Sequence, residues 1–449
     1  MLTTLTSIIQ IKPVDHPLHA TIRVPGSKSL TNRALLISAL ANGKTSLTNA
    51  LFSDDSCYLA KALQTLGFDV ELDEQNYEMI VTGLGGKIPA TNANLFIGNA
   101  GTAARFLCAF LTLGNGKYII DGDSRMRERP IQDLIDALSQ LGVELDGTNN
   151  CPPVEILAKG LSGRKTKIAG NISSQFLSAL LMVAPYAKSP IEIKVTTDLN
   201  SKPYVDMTMA IMKDFGVEIQ RKDYQSFRIP IKNYQSPITY SIESDASAAS
   251  YFFAVPAICG GTVRVENITR KSKQGDLAFL DVLKQMGCNI EVGENFIEAT
   301  GTENLNGVDI DMRDIPDTAQ TLAVLAPFAS SPTRIRGIAS ARLKETDRIH
   351  ATCTELARLG ISVEEHDDGM TIYPCDKFQP ATIHTYNDHR MAMAFSLIGL
   401  RVEGITIENP SCVSKTFPNF FEVLDELRTP SPFRAERSTS EVEAGRRLR

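Results

Sequence analysis

The chain has 449 residues, 43% of them apolar, which is enough for two or more domains with separate cores. Its net charge is −6, so we expect no general nucleic-acid-binding surface, and any anion site must use locally concentrated Lys and Arg. No apolar run is long enough to span a membrane, and the first residues lack a basic segment followed by a small-residue cleavage site. These properties favour a cytoplasmic enzyme or binding protein.

Metal binding is not expected from the distribution of the possible ligands. The eight cysteines are scattered without a C-x-x-C pair, and several fall in apolar helical patterns, which predicts reduced thiols that fill the core. Glu345, Asp347 and His350 do not share one helical face at metal-ligand spacing, and no other cluster does better. We therefore predict that no metal is bound.

One α/β pattern recurs along the chain at intervals of roughly 70 to 75 residues. Amphipathic helices end at a glycine suited to the left-handed conformation and are followed by strand-like alternation, at Gly67, Gly142, Gly216, Gly287 and Gly360. A more apolar helix also occurs in every repeat, beginning near Arg33, Thr102, Ser174, Ala246, Thr318 and His389. The second helices begin near Asp54, Arg129, Ser201, Gly275, Glu345 and Thr416, where Pro, Ser, Thr and Asp are ordinary starting residues. This count predicts six repeated βαβαββ-like units.

The two ends of the chain suggest how these units are grouped. The sixth unit ends with the helix PNFFEVLDEL and has no strands after it, whereas TSIIQIKP and ATIRVP look like an unattached hairpin at the N-terminus. We predict that residues 1–25 complete the sixth unit, so that residues 26–242 form one three-unit domain and residues 1–25 with 243–427 form the other. Two chain crossings would then act as a hinge. Residues 428–449 are charged and lack a hydrophobic period, which predicts a disordered tail or a cloning remnant.

The apolar helices begin with polar residues that are suited to binding anions. A helix N-terminus carries partial positive charge and unpaired N–H groups, so six such termini pointing one way would attract an anionic ligand. Lys28, Ser29 and Arg33 begin the first helix, although PGSKS lacks the spacing of a nucleotide-binding P-loop. The later helices begin with Asn99, Gly101 and Thr102, with Ser173, Ser174 and Gln175, with Asp317, and with His389 and Arg390. Ordinary capping would explain any one of them.

Two further clusters combine charge with possible proton transfer. Arg125, Arg127 and Arg129 lie in one loop, which suits either a solvated basic loop or phosphate and carboxylate binding. Lys344, Glu345 and Arg348 combine a carboxylate able to exchange a proton with two cations, although a surface capping segment would look the same. His389 is either a proton carrier or a satisfied imidazole at a helix start.

Taken in order, these motifs resemble the EPSP synthase family, the 3-phosphoshikimate 1-carboxyvinyltransferases. The matching segments are PGSKSLTNRALL, GNAGTAARFL, RMRERPI, SSQFLSALLM, SKPYVD, DASAASYF, KETDR, YNDHRMAM and SKTFPNFF. The resemblance implies an inside-out α/β barrel of six units in two domains that close on the substrates. It also implies transfer of the enolpyruvyl group of phosphoenolpyruvate to the 5-hydroxyl of shikimate 3-phosphate, a step of the shikimate pathway toward chorismate and the aromatic amino acids. Phosphate leaves through a tetrahedral ketal, and the resemblance suggests a monomer without a cofactor.

The resemblance also assigns expected roles to individual residues. Asp317 is similar to the base that takes the 5-hydroxyl proton, and Glu345, aided by Lys28, to the acid that protonates the methylene carbon. Shikimate 3-phosphate is expected to contact Lys28, Ser29, Arg33, Ser173, Ser174, Gln175, Ser201, Tyr204, Asp317, Ser340 and Lys344. Phosphoenolpyruvate is expected to contact Lys28, Asn99, Gly101, Arg129, Gln175, Arg348, His389, Arg390 and Lys415. Cations are required because both substrates are multiply negative and repel each other.

Two positions depart from the family pattern. Ser340 stands where many bacterial members carry Asn, which changes one expected substrate hydrogen bond. Phe106 stands where many members carry Pro after the arginine of the GTAxR motif. The family is the target of glyphosate, which the resemblance places beside Gly101, and replacing a helix Pro by Phe changes both backbone bonding and bulk. We predict weaker inhibition by glyphosate than in members with Pro.

Two other functions remain open from the sequence. Enolpyruvyl transferases acting on UDP-N-acetylglucosamine share the six-unit fold, but they typically carry a Cys in the loop that matches residues 121–130, where this chain has DGDSRMRERP. The SKPY and KETDR motifs also favour shikimate phosphate. A non-catalytic protein that binds a phosphorylated ligand could use the same fold, although Asp317 and Glu345 argue against it.

Overall fold

The first half of the chain forms three consecutive α/β units. The computed structural model describes residues 7–428 and begins with β1 (Ile8–Gln10) and β2 (Leu18–Arg23). The first unit contains α1 (Lys28–Leu40), β3 (Asn42–Thr48), α2 (Asp54–Thr65), β4 (Asp69–Asp73) and β5 (Glu78–Leu84). The second contains β6 (Asn92–Phe96), α3 (Gly101–Leu111), β7 (Asn115–Asp121), α4 (Gln132–Ser139), β8 (Glu144–Thr148) and β9 (Cys151–Lys159). The third contains β10 (Arg164–Ile168), α5 (Ser174–Val183), β11 (Ile191–Val195), α6 (Lys202–Asp214), β12 (Gln220–Lys222) and β13 (Ser226–Ile229).

The second half repeats this order after β14 (Thr239–Ser241). The fourth unit contains α7 (Ala246–Cys259), β15 (Gly261–Glu266), α8 (Phe279–Gln285), β16 (Asn289–Val292) and β17 (Phe296–Thr300). The fifth contains β18 (Asp309–Asp311), α9 (Ala319–Leu325), β19 (Thr333–Arg336), α10 (Arg348–Arg358), β20 (Val363–His366) and β21 (Gly369–Ile372). The sixth contains β22 (Thr382–Ile383), α11 (His389–Gly399), β23 (Thr406–Glu408) and α12 (Phe420–Glu426). Of the predicted tail, residues 428–449, all but Arg428 lie outside the described residues.

Each unit has its own sheet, built with the same pairing. In the second unit β6 runs parallel to β7, β7 pairs antiparallel with β9, and β9 pairs antiparallel with β8. Within the described residues, five sheets have four strands, and the sheet of the sixth unit has three. The predicted six-unit α/β fold is therefore confirmed.

The glycines that end the second helices adopt the conformation that the sequence predicts. Gly67, Gly142, Gly216, Gly287 and Gly360 have φ values of 91°, 84°, 85°, 106° and 80°. Side chains other than glycine are strained at such angles, so a glycine lets the chain reverse from helix to strand within one residue.

The predicted helix starts differ from the structure by up to five residues. The largest difference is in α1, which begins at Lys28 rather than near Arg33 because Ser27 caps it and accepts the Leu30 N–H at 3.4 Å. No helix within residues 7–428 is long and apolar enough to cross a membrane.

The prediction for the N-terminal strands is only partly right. They form no hairpin: β1 pairs antiparallel with β23 of the sixth unit, whereas β2 pairs parallel with β15 and is the first strand of the fourth unit. The strand β14, which follows the third unit, returns to pair parallel with β3 of the first unit. Two units thus take their first strand from a distant part of the chain. The hydrophobic pattern of a strand marks its buried face but not which distant strand lies beside it.

Buried apolar side chains form two separate cores. The first extends from Leu30 to Ile242, and the second combines residues 11–24 with residues 246–427. We propose that each core belongs to one domain, the first spanning residues 26–242. At the crossings the Ser27 N–H binds the Glu243 carbonyl at 2.8 Å, and the Lys28 N–H binds Asp245 at 3.0 Å. The two connecting segments are therefore held side by side at the entrance to α1 and α7.

Candidate active site

Charged and polar side chains from the two parts of the chain that form the first and second cores meet around one small cavity. The first core supplies Lys28, Asp55, Gly101, Thr102, Arg129 and Gln175. The second supplies Asp317, Lys344, Glu345, Arg348 and Arg390. The cavity has a volume of about 30 Å³. Nearly all of these lining residues were predicted as site residues, and the folded chain brings them together.

Asp317 lies in the turn Pro316–Thr318, immediately before α9, and is held by two arginines. Its Oδ1 accepts from Arg348 Nη1 at 3.3 Å, and its Oδ2 accepts from Arg390 Nη2 at 2.7 Å. Burial raises the pKa of Asp317, but the charges of Arg390, Lys344 and Arg348 outweigh burial and hold the pKa below its usual range. Asp317 is therefore an ionised carboxylate whose oxygen lone pairs can accept a proton.

Glu345 also binds Arg348 and is surrounded by further cations. Its Oε2 accepts from Arg348 Nη2 at 2.8 Å, and its Oε1 lies 4.0 Å from Arg129 Nη1 and 3.8 Å from Lys415 Nζ. Burial raises the pKa of Glu345, whereas Arg348, Arg129 and Lys415 lower it and keep it well below the usual range. In this charge environment Glu345 is ionised.

Lys28 and Lys415 share one buried carboxylate. Lys28 Nζ is 3.5 Å from Asp55 Oδ2, and Lys415 Nζ is 2.9 Å from Asp55 Oδ1. Lys415 also donates to the Asn99 carbonyl at 2.6 Å. Lys415 lies in the part of the chain that forms the second core, whereas Asp55 and Asn99 lie in the part that forms the first. These contacts therefore join the two halves of the site.

The glycine at the start of α3 allows an arginine to approach the helix closely. A Cβ at Gly101 would lie 2.5 Å from Arg129 Nη2, which is shorter than any ordinary contact. Arg129 Nη1 donates to the Asn99 carbonyl at 3.1 Å and to its side-chain oxygen at 2.9 Å. The planar guanidinium thus lies directly over the helix start, and a Cβ at Gly101 would displace it.

The start of α11 orients both arginines that bind Asp317. Asp388 is fully buried, accepts from Arg348 Nε at 2.7 Å and Nη2 at 3.2 Å, and accepts the Arg390 N–H at 2.9 Å. His389 is fully buried, and neither of its ring nitrogens has a hydrogen-bond partner within the described chain. Burial, followed by the charges of Lys28 and Arg390, keeps the pKa of His389 well below its usual value, so the imidazole is neutral.

The residues expected to bind shikimate 3-phosphate lie at several helix starts, with only some of them in the cavity wall. Ser173 caps α5 and accepts the Gln175 N–H at 3.2 Å, while Gln175 Nε2 donates to Thr102 Oγ1 at 3.2 Å. The Tyr204 hydroxyl is 3.4 Å from Asp317 Oδ2. Ser174, Ser201 and Ser340 are buried, whereas Ser29 is partly exposed.

Arg33 stands apart from this group. It is 1% exposed, does not line the cavity, and donates to Thr208 Oγ1 at 2.7 Å, to the Ser29 carbonyl at 3.0 Å and to the Tyr204 carbonyl at 3.3 Å. Its guanidinium carbon lies 5.2 Å from the centroid of the Phe106 ring. Burial lowers the pKa of Arg33 to about 10, which still leaves it charged at neutral pH. In this geometry Arg33 connects α1 to α6 and braces α3.

Sequence reasoning missed several functional neighbours. Asp55 and Asp388 lie beside predicted helix starts but were not named as site residues, and the sequence has no signal that separates a capping carboxylate from one that also binds a site lysine or arginine. Arg125 was noted as basic, but its contact is with a backbone group, since its Nη2 donates to the Lys344 carbonyl at 2.9 Å across the two cores. Asp276, which accepts a hydrogen bond from the Tyr204 hydroxyl, was also missed.

Comparisons with known proteins identify the family of this chain. The family model of EPSP synthase (3-phosphoshikimate 1-carboxyvinyltransferase) matches residues 14–424. Relatives named 3-phosphoshikimate 1-carboxyvinyltransferase include one from Shewanella denitrificans, 51% identical over 89% of this chain and 94% of the relative. Another, from Trichormus variabilis, is 48% identical over 92% of this chain and 97% of the relative. A solved EPSP synthase from Acinetobacter baumannii has a TM-score of 0.79 at 25% identity and covers 94% of this chain and 98% of its own. With this match along almost its whole length, the chain belongs to the EPSP synthase family.

Proposed function

We propose that this chain transfers the enolpyruvyl group of phosphoenolpyruvate to the 5-hydroxyl of shikimate 3-phosphate, yielding 5-enolpyruvylshikimate 3-phosphate and phosphate. The observation that carries the proposal is the pairing of two carboxylates, the partly buried Asp317 and the buried Glu345, with one arginine, Arg348, in a cavity lined by cations from both halves of the chain. Two carboxylates in one site can divide the roles of base and acid.

The chemistry follows from this division. Asp317 takes the proton of the 5-hydroxyl, and the hydroxyl oxygen forms a bond to C2 of phosphoenolpyruvate while Glu345 delivers a proton to its methylene carbon. The product of this step is the tetrahedral ketal. Loss of a proton from the new methyl group and departure of phosphate restore the double bond. Lys28, which pairs with Asp55, assists Glu345 in the proton transfer at carbon.

Anion binding is the second task of the site and also prepares Glu345 as an acid. Phosphoenolpyruvate is held by Arg129, Arg348, Arg390 and Lys415, with Lys28, Asn99, Gly101, Gln175 and the neutral imidazole of His389 nearby. The phosphate and carboxylate groups offset the cations that lower the pKa of Glu345. Substrate binding therefore raises the proton affinity of Glu345 when an acid is needed.

Shikimate 3-phosphate is held mainly by hydroxyl groups at helix starts. We assign Lys28, Ser29, Ser173, Ser174, Gln175, Ser201, Tyr204, Asp317, Ser340 and Lys344 to this substrate. Arg33 completes the set only if it exchanges at least one of its protein partners for the ligand, because Thr208, Ser29 and Tyr204 bind its guanidinium in this structure.

Substrate entry requires the two halves of the site to separate. A cavity of about 30 Å³ holds one or two water molecules and neither substrate. Opening breaks the contacts of Lys415 with Asp55 and of Arg125 with the Lys344 carbonyl. Closure then assembles acid, base and cations around the reactants and excludes water. The monomeric state and the cytoplasmic location stay predictions.

The test is phosphate release from phosphoenolpyruvate, measured with shikimate 3-phosphate and separately with UDP-N-acetylglucosamine. We expect release only with shikimate 3-phosphate. Asp317→Asn should abolish turnover while isothermal titration still shows binding of shikimate 3-phosphate. The matched control is Asp309→Asn, an exposed carboxylate of β18 that pairs with Arg336, and this variant should keep full activity. Release with UDP-N-acetylglucosamine alone, or unaltered turnover of Asp317→Asn, contradicts the proposal.

A further inference from the structure

A second buried carboxylate lies beside Asp317 but outside the cavity wall. Asp276, in the turn Gly275–Ala278 that precedes α8, is 4% exposed. Its Oδ2 accepts hydrogen bonds from the Tyr204 hydroxyl at 3.0 Å and from the Ser247 hydroxyl. Its Oδ1 has no hydrogen-bond partner among the residues that the structure describes. A buried carboxylate bound only by hydroxyl groups retains much of its affinity for a proton.

Tyr204 connects Asp276 to Asp317. Its hydroxyl oxygen is 3.0 Å from Asp276 Oδ2 and 3.4 Å from Asp317 Oδ2. A phenol has one proton to donate, and the shorter contact gives that proton to Asp276. The lone pairs of the Tyr204 oxygen then face Asp317. Asp317 can donate a hydrogen bond to them only after its carboxylate has gained a proton. The bridge is thus arranged for transfer in one direction.

The two carboxylates differ in the charges around them. Asp317 binds two guanidinium groups, whereas no cation within residues 7–428 forms an ion pair with Asp276. Burial, followed by the negative charge of Asp317, raises the pKa of Asp276 to about 6, while Arg390 and its neighbours keep the pKa of Asp317 below the usual range. A proton placed on Asp317 therefore lies on the weaker base of the pair.

We infer that Asp276, acting through Tyr204, receives the proton that Asp317 removes from the 5-hydroxyl of the substrate. This inference rests on the proposed function. The O–H bond of the substrate breaks, its proton goes to Asp317 Oδ2, and its electron pair forms the bond to C2 of phosphoenolpyruvate. The proton then passes from Asp317 to the Tyr204 oxygen as the proton of Tyr204 passes to Asp276 Oδ2. Tyr204 ends neutral.

The relay keeps the charge balance of the site intact. If Asp317 kept the proton, Arg348 and Arg390 would each lose an ionised partner inside a buried site, which is costly. Because the proton moves on to Asp276, Asp317 is a carboxylate again while the ketal is present. Asp276 is thus a positioning residue: it acts on the proton through Tyr204 and does not contact the substrate.

The kinetic constants of four variants, compared with one control variant, test this role. Asp276→Asn keeps the shape but removes the base, so we expect kcat to fall about ten- to hundredfold with the KM values of both substrates within about threefold of wild type. Tyr204→Phe should lower kcat similarly, and the double variant should be no worse than either single one. Asp276→Glu should restore part of kcat. The matched control is Glu355→Gln, which alters another buried carboxylate bound by a tyrosine hydroxyl, that of Tyr386 at 2.9 Å, and should keep its kcat.

The pH profile separates a relay from a merely structural contact. Asp317, Ser247, Arg390 and Asp245 contribute to the titration of Asp276, and the Tyr204 hydroxyl faces it through a hydrogen bond. A proton acceptor must be ionised, so kcat of the wild type should rise as the pH passes through about 6, and Asp276→Asn should lose this rise. Unchanged kcat in Asp276→Asn, a loss confined to KM, or an equal loss at every pH overturns the inference. A wild type that releases no phosphate with shikimate 3-phosphate contradicts the proposed function itself, which is a different result.

Discussion

A single methyl group at Gly101 tests how tightly the site holds Arg129. The added Cβ of Gly101→Ala would lie 2.5 Å from Nη2 of Arg129, 2.7 Å from its Cζ and 2.8 Å from its Nη1. Ordinary contact needs about 3.5 Å, so the guanidinium must move by about 1 Å. That shift takes it off the Asn99 carbonyl and side-chain oxygens, which it binds at 3.1 and 2.9 Å. A displacement of about 1 Å in a positioning group costs up to about a hundredfold in rate.

We therefore expect kcat/KM for phosphoenolpyruvate to fall about ten- to hundredfold in Gly101→Ala, which corresponds to about 1.4 to 2.7 kcal/mol of transition-state stabilisation. Thermal stability should change little, because Gly101 is the first residue of α3, where the Gly-to-Ala difference in helix propensity counts for less than in a helix interior. Steady-state phosphate release gives the first quantity and Tm the second. A loss of activity with an unchanged or higher Tm would identify a local clash.

The control uses a smaller cation at the same place. In an Arg129→Lys background the side chain ends in a compact ammonium without the planar fork, so the extra methyl group has less to displace. The penalty of Gly101→Ala should shrink in that background, which gives a coupling energy in the double-mutant cycle. An unchanged kcat/KM for phosphoenolpyruvate in the single variant, or the same penalty in both backgrounds, would refute the argument.

Three further outcomes follow from buried contacts of the site. Phe106→Pro removes the ring beside Arg33 and a backbone donor of α3, and we expect a lower inhibition constant for glyphosate, so an unchanged constant would count against the prediction. Asp388→Asn removes the charge that binds Arg348 twice, so kcat/KM should fall at least about tenfold and urea unfolding should show a loss of about 3 kcal/mol, whereas wild-type values for both would contradict this role. Glu345 has a lowered pKa, so its contribution to stability is complete above the unfolded value of 4.5 and is lost as the pH falls below it. Urea unfolding of Glu345→Gln should therefore show a shallower loss of stability below pH 4.5 than the wild type, and identical slopes would refute the assignment.

The repeated fold was predictable because each unit is encoded locally. Helical periodicity, a capping residue and a glycine with positive φ all act within one turn of the helix that they begin or end. Gly67, Gly142, Gly216, Gly287 and Gly360 therefore marked the repeat, and the starts of the six apolar helices gave the unit count, without knowledge of any distant contact. The family motifs likewise lie in continuous segments at helix starts, so they identified most of the cavity-lining residues, including Lys28, Asp317 and Glu345.

The tertiary structure decided everything that depends on distant neighbours. β2 and β14 are far along the chain from the units that they complete, and only pairing with β15 and β3 assigns them to the fourth and first units. Asp55, Asp276 and Asp388 look like ordinary helix-starting carboxylates until the fold brings Lys415, Tyr204 and Arg348 beside them. Arg33 is part of a matching motif, yet packing turns its guanidinium toward Thr208 and Phe106. Local sequence sets the conformation of each segment, whereas the charge, burial and proton affinity of a side chain depend on groups hundreds of residues away along the chain.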